Sequence, residues 1–330
     1  MYIGNHLTSA NPTTLDLLSK LLMSSGFQVK IYSNQQYKLL RLLHMCWGVI
    51  TNTNANYVLI DTYSTVNFYY ALVISQLARL FSISYIPILH GGNLPERLKT
   101  NPKLCSFIFK HSLVTIAPSN YLQVEFQQKG FKTQFIPNAI ELKNYPFKQR
   151  TVLAPNLLWV RAFDAIYNPT MAIEVLEILK TTYPNATLCM VGADKDGSLE
   201  KVIQFAEEKG LLNSIEFTGY LSKEEWIEKS KNYAIFMNTT TIDNTPVSVL
   251  EAMALGLPVV STNVGGLPYL IQEDITGCLV AAGDAAAMAF KIGILLQQPK
   301  KAIEISQNAR TMVEDFDVTK VKEQWIQLLT

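Results

Sequence analysis

Asp243-Asn244-Thr245-Pro246-Val247-Ser248-Val249-Leu250-Glu251-Ala252-Met253-Ala254-Leu255-Gly256-Leu257-Pro258-Val259-Val260-Ser261-Thr262-Asn263-Val264-Gly265-Gly266 reads as loop, helix, turn, buried strand and glycine loop. Thr245 is a good N-cap and Pro246 suits the first helical position, where its missing N–H costs nothing. Gly256 ends the helix and Pro258 prevents it from resuming. Val247, Leu250 and Ala254 give an apolar face at i, i+3, i+7, which leaves Ser248 and Glu251 on an adjacent face. Pro258–Ser261 reads as a buried parallel strand.

Two carboxylates bracket this unit, Asp243 before the cap and Glu251 in the second turn. A helix N-terminus presents free N–H groups and partial positive charge, which suits a phosphate. Glu251 lies roughly 9 Å along the axis from the cap at about 1.5 Å per residue. That separation fits a nucleotide laid along the helix, with the diphosphate at the cap and the ribose hydroxyls on Glu251. Asp243 then faces whatever hangs from the distal phosphate. The bland alternative is a capped core helix carrying two solvated acids.

Asp243 and Glu251, with Ala252-Met253-Ala254, Gly256, Pro258-Val259-Val260 and the Gly265-Gly266 pair, resemble the E-x7-E region of the retaining glycosyltransferases of family 4. Asp243 stands where that family usually has its first Glu. The resemblance implies an α/β protein of GT-B architecture, two Rossmann-like domains facing a cleft. It further implies transfer of a sugar from a nucleotide-diphosphate sugar with retention, on a glycan, lipid-linked or small acceptor, and no required metal or other cofactor. Nucleic acid is not an expected partner.

The rest of the chain agrees with two domains. Its 330 residues, 48% hydrophobic and 17% charged, are long enough for two sizeable cores. Cys46, Cys105, Cys189 and Cys278 show no C-x-x-C spacing, so neither a zinc site nor a disulfide framework is expected, and a reducing cytoplasm is the default. No signal-peptide pattern opens the sequence. The greasiest window, Phe68–Leu89, is broken by Arg79, Ser82, Ser84 and Pro87 and reads as helix, turn and strand, not a membrane span.

Apolar runs alternate with amphipathic stretches in both halves, the pattern of βαβ units. In the first half, strands are expected near 1–3, 29–32, 57–60, 85–89, 113–117 and 134–136, with helices at 13–25, 36–49, 66–81 and 121–129. Alternation lapses over 138–155, which contains Pro146 and Pro155, so the domains are placed at 1–145 and 146–317. In the second, strands are expected at 157–160, 187–191, 214–217, 234–237, 258–261 and 278–280. Helices are expected at 169–181, 199–209, 223–229 and 284–297, followed by a helical region 300–330. The resemblance implies that 318–330 packs back on the first domain.

In a doubly wound sheet, ligands bind beyond the carboxyl ends of the strands. That rule selects Gly4-Asn5-His6, Asp61-Thr62, His90-Gly91-Gly92-Asn93 and Pro137-Asn138 in the first half; Arg161 and Gly219-Tyr220-Leu221 follow strands in the second. Arg161 can clamp phosphate oxygens and stabilise a leaving diphosphate. The resemblance places His90 toward the donor sugar and acceptor, and Gly219-Tyr220 near the nucleobase. Asp61 reads more simply as a helix cap. The family pairs its Arg with a Lys five or six residues on; here those positions are Ile166 and Tyr167, so Tyr167, Asn168 or Lys195 must supply that contact. Asp194-Lys195-Asp196 spells D-x-D, a metal-binding signature in another glycosyltransferase fold, but here it reads as a solvated turn. A catalytically silent nucleotide-sugar-binding subunit and a nucleotide-sugar epimerase of similar fold are the competing readings. No strand is followed by G-x-G-x-x-G, which disfavours dinucleotide oxidoreductases.

Charge divides the chain. Residues 1–150 carry 14 Lys+Arg against 5 Asp+Glu, a net +9, and the remainder carries 14 against 22, a net −8. A basic half suits an anionic partner. The second helix, with Lys38, Arg41, Leu39, Leu43 and Trp47, reads either as a core helix with a basic solvent face or as an interfacial helix. The second reading predicts weak, salt-sensitive, peripheral binding to an anionic membrane, at the inner face of the cell membrane.

Overall fold

The computed structural model describes residues 1–4 and 13–330, which fall into two compact units, 1–140 with 316–330, and 141–315. Asn5 and His6, two of the expected ligand-binding residues, lie outside the described residues.

The first unit is a six-stranded sheet with every pairing parallel. It contains β1 (Tyr2–Ile3), α1 (Thr14–Ser24), β2 (Ile31–Tyr32), α2 (Lys38–Thr51), β3 (Tyr57–Thr62), α3 (Asn67–Leu80) and β4 (Ser84–Leu89). It continues through α4 (Leu94–Thr100), α5 (Pro102–Phe109), β5 (Thr115–Ala117), α6 (Asn120–Gln128) and β6 (Thr133–Phe135). Helices α4 and α5 escaped the sequence reading because neither shows a full amphipathic repeat; each starts with a proline in its first turn. The strand order is β2-β1-β3-β4-β5-β6. The order reverses between β1 and β3, so the expected ligand edge lies at Gly4 and the end of β3.

The second unit repeats the plan. It holds β7 (Asn156–Val160), α7 (Pro169–Lys180), β8 (Thr187–Val191), α8 (Ser198–Glu208), β9 (Ile215–Gly219), α9 (Lys223–Ser230) and β10 (Ile235–Asn238). Next come α10 (Val247–Ala254), β11 (Val259–Thr262), α11 (Leu267–Leu270), β12 (Cys278–Val280), α12 (Ala285–Gln297) and α13 (Pro299–Val313). The order β12-β11-β10-β7-β8-β9 is wholly parallel, with its switch point between β7 and β10. Its core gathers Trp159, Phe163, Leu176, Met190 and Met288 on one face of the sheet.

The last helix, α14 (Val318–Leu329), belongs to the first unit. Its Val321, Trp325 and Leu329 bury against Leu15, Leu18 and Leu22 of α1 and against Ile88 and Ile136. Asp317 caps it by accepting from the Thr319 amide.

The helix that decided the sequence reading is shifted by one residue. Pro246, with ψ 119°, occupies the N-cap itself and Val247 is the first helical residue; Thr245 lies outside the helix. An extended ψ at Pro246 cannot be helical, and the proline has no side-chain oxygen to cap with. The buried face also differs from the expected one: Val249, Leu250, Glu251, Ala252, Met253 and Ala254 are buried, while Val247 is 40% exposed. A helix enclosed almost all round carries no amphipathic signal to read.

Candidate functional site

Arg161 follows the C-terminal end of β7, and Asn238 ends β10, the two strands of the switch point. The Arg161 guanidinium donates from Nε to Asn238 Oδ1 at 3.3 Å and from Nη2 to Asp243 Oδ2. Its plane stands over the Tyr167 ring at 4.6 Å, a cation–π contact that fixes a flexible side chain. Asn238 is held in turn by donating to Ser261 Oγ at 3.0 Å. The loop carrying Tyr167 is tied down by threonines. Thr239 Oγ1 donates to Tyr167 O at 2.7 Å and accepts from Trp159 Nε1, and Thr241 bonds Ile166 O through both N–H and hydroxyl. None of these threonines was legible as a site residue.

Asp243 accepts from the Asn244 amide and lies beside the start of α10. Val249 N donates the first intrahelical bond, to Pro246 O, so the amides of Val247 and Ser248 precede the ladder and are available to an acceptor. Ser248 Oγ is enclosed and has no hydrogen-bond partner among the described residues. An enclosed hydroxyl without a partner is costly, and a bound anion or water satisfies it.

Glu251 is not the solvated acid of the bland alternative. It is 4% exposed. Its Oε1 accepts from the Tyr145 hydroxyl at 2.6 Å and pairs with Lys223 Nζ at 3.1 Å. Burial and the neighbouring carboxylate hold the Tyr145 phenol well above its ordinary pKa, so it stays a donor. Both contacts use Oε1, which leaves Oε2 for a ligand hydroxyl. Tyr145 and Lys223 were missed because they lie 106 and 28 residues from Glu251 in the chain.

The glycine pair is explained by backbone contact. A Cβ on Gly265 would sit 2.0 Å from Asp243 O, and one on Gly266 would sit 1.9 Å from Asn244 O. Gly266 N donates to Asp243 O at 3.0 Å. These glycines therefore clamp the Asp243 loop. Gly192 does the same for Arg161, whose carbonyl oxygen lies 1.7 Å from a Cβ placed there. Gly266→Ala is expected to cost about 1–3 kcal/mol, the range for forced overpacking, and to lower Tm by several degrees with loss of activity. Thermal unfolding measures this, and an unchanged Tm would show that the loop accommodates the methyl group.

Of the three candidates for the missing lysine, only Tyr167 touches Arg161. Asn168 adopts the left-handed conformation, φ 46°, and accepts from Thr170 through Oδ1. Lys195 pairs with Asp164 Oδ2 at 2.8 Å, which raises the lysine pKa and depresses that of the carboxylate. In the D-x-D turn, Asp194 accepts from the Gly197 amide and Asp196 from the Ala165 and Ser198 amides. Gly219 ends β9 with φ +70°, and the following Tyr220 is 53% exposed.

In the first unit, His90 follows β4 and bonds Asp61 Oδ1 through Nε2 at 2.8 Å, and its ring stacks on Tyr63 at 4.7 Å. The buried Tyr2 hydroxyl donates to the same Asp61 oxygen at 2.9 Å. Asp61 is thus no helix cap; it sits within β3 and orients His90. Gly4 is required here for space, since its Cβ would lie 2.1 Å from Asp61 Oδ2.

Residues 148–312 match the family Glycosyl transferases group 1, half of the chain. The chain belongs to that family. An uncharacterised glycosyltransferase of Haemophilus influenzae is 27% identical over 60% of the chain and 56% of its own length. The amylovoran biosynthesis glycosyltransferase AmsK of Erwinia amylovora is 26% identical over 76% of the chain and 65% of its own length. The chain thus spans less than two thirds of these curated relatives. The Anabaena HepE structure in complex with UDP-glucose superposes with a TM-score of 0.76 at 19% identity, covering 99% of this chain and 98% of that one. The chain shares the GT-B fold with such structures.

Proposed function

We propose that the protein transfers a sugar from a nucleotide-diphosphate sugar to a glycan, lipid-linked or other hydroxyl acceptor, with retention of anomeric configuration. The observation that carries the proposal is the grouping of Arg161, Asp243 and the open amides and unpartnered Ser248 hydroxyl of α10 at the switch point of one sheet. The UDP-glucose bound by HepE and the role of AmsK as an amylovoran biosynthesis glycosyltransferase support this donor class and transfer chemistry.

In this reading the diphosphate lies against Arg161 and the Val247–Ser248 amides. Glu251 Oε2 takes the ribose hydroxyls, Tyr220 borders the base, and Asp243 holds hydroxyls of the transferred sugar. In the first unit, His90, oriented by Asp61, is the residue put forward for the acceptor side. The acceptor hydroxyl attacks the anomeric carbon from the face the diphosphate leaves. The bond from that carbon to the phosphate oxygen breaks, and this oxygen takes the acceptor's proton. A diphosphate whose charge is stabilised in place leaves without the general acid a glycosidase needs. Electrostatics from Arg161 and the helix terminus stand in for a metal, so no divalent ion is required. The site of action is proposed to be peripheral, at the cytoplasmic face of a membrane. No helix among the described residues is long and apolar enough to cross one.

The test is a panel of nucleotide sugars with and without acceptors, read by product NMR and repeated with excess chelator. Transfer giving the donor's own anomer, undiminished by chelator, is expected. Inversion, or chelator loss restored by a divalent ion, would contradict the mechanism, and nucleotide binding without turnover would identify a silent subunit.

A further inference from the structure

Helix α2 turns its apolar stripe outward. Leu39 is 69% exposed, Leu43 56% and Trp47 62%, and Leu40 and Ile50 fall on the same arc. The buried side is supplied by Met45, Gly48, Val49 and Arg41, whose guanidinium is spent on the carbonyls of Gln35 and Gln36. The core-helix reading of the sequence is therefore reversed: the basic residue is inside and the leucines are outside. A solvent face normally carries polar residues, so a contiguous apolar one marks a contact surface.

The surface extends sideways. α2 packs on α3 and α3 on α5, where Tyr69, Val73, Leu80 and Phe107 are also exposed. The three helices contain no Asp or Glu, while Lys38, Arg79 and Lys103 are exposed on them. A second copy docked face to face would set these like charges against each other. A bilayer with anionic headgroups complements both features, lysines and arginines at headgroup level and the leucines and tryptophan among the upper acyl chains.

We propose that the outer face of α2, with its α3 and α5 margins, is a docking surface for an anionic lipid bilayer, bound by shallow insertion of Leu39, Leu43 and Trp47 as well as by charge. The proposal deepens the peripheral location given above and is independent of the sugar-transfer chemistry, because its test reads binding and not turnover.

Trp47 provides the readout, since Trp159, Trp226 and Trp325 are buried. The full chain is mixed with vesicles of phosphatidylcholine alone or with about one third phosphatidylglycerol. Co-sedimentation and tryptophan emission are recorded at low and high salt. Binding only to the anionic vesicles is expected, with a blue shift of Trp47 and a salt-resistant fraction, because screening weakens the charge contribution but not the apolar one. The double variant Leu43→Gln/Trp47→Gln, with unchanged Tm, should bind at least tenfold less. Three results overturn the proposal: no binding at low salt, binding unaffected by the double variant, or a dimer in sedimentation velocity that the double variant dissolves.

Discussion

Arg161→Ala is expected to lower turnover by about 100- to 1,000-fold, the range for removing one preorganised donor facing developing charge. The structure gives a reason to expect the upper part of that range. The guanidinium is held from three directions, by Asn238, Asp243 and the Tyr167 ring, so it needs no reorganisation as charge builds on the departing phosphate. Lysine at this position cannot reproduce the fork or the ring contact, and Arg161→Lys should recover little. Asp243→Asn provides the contrast. It removes the countercharge of Arg161, so affinity for a bare nucleoside diphosphate should hold or rise, while discrimination among donor sugars falls. Steady-state kinetics with the preferred donor measure the first effect and calorimetric titration the second. Near-normal turnover of Arg161→Ala would move the phosphate clamp to other residues.

Glu251→Gln is expected to weaken donor binding by roughly 10- to 150-fold, the equivalent of about 1.5–3 kcal/mol for a charged hydrogen bond. Burial makes this substitution more informative than at a surface acid. The amide oxygen of Gln can still accept from the Tyr145 hydroxyl, so that buried phenol keeps its partner. The lost pair with Lys223, whose side chain is 51% exposed, costs little. The remaining change is at Oε2, where a carboxylate acceptor becomes an amide donor and repels hydroxyl donation. The Tm should therefore change little while KM rises and kcat is largely kept. Donor affinity unchanged within twofold would mean that Glu251 is not the ribose ligand.

The fold was legible where periodicity was strong. Both parallel sheets follow from apolar runs spaced by amphipathic helices, and each of the twelve strands among the described residues overlaps an expected run. The misses share a physical origin, namely that they depend on neighbours far along the chain. The burial of Glu251 is not visible in sequence, because the Tyr145 hydroxyl and Lys223 that contact it are distant. Gly265 and Gly266 read in sequence only as a glycine loop, whereas the atoms that require them are the carbonyl oxygens of Asp243 and Asn244. Helix α2 shows the limit most plainly. An apolar stripe defines a face, and only the tertiary packing shows whether that face looks inward. Asp61 was under-read for the same reason, since its partners Tyr2 and His90 come from two other strands' ends. Arg161 and Asp243, by contrast, were singled out at a strand end and before a helix start, and the structure joins them directly.

The central claim is that the switch point of the second sheet holds a nucleoside diphosphate along α10. It is tested most directly by a crystal structure with whichever nucleoside diphosphate raises Tm most. The predicted result is a β-phosphate in contact with Arg161, the Val247 and Ser248 amides and Ser248 Oγ, with ribose hydroxyls on Glu251 Oε2. A nucleotide bound at any other edge of the sheet, or the failure of every nucleoside diphosphate to raise Tm, would contradict it.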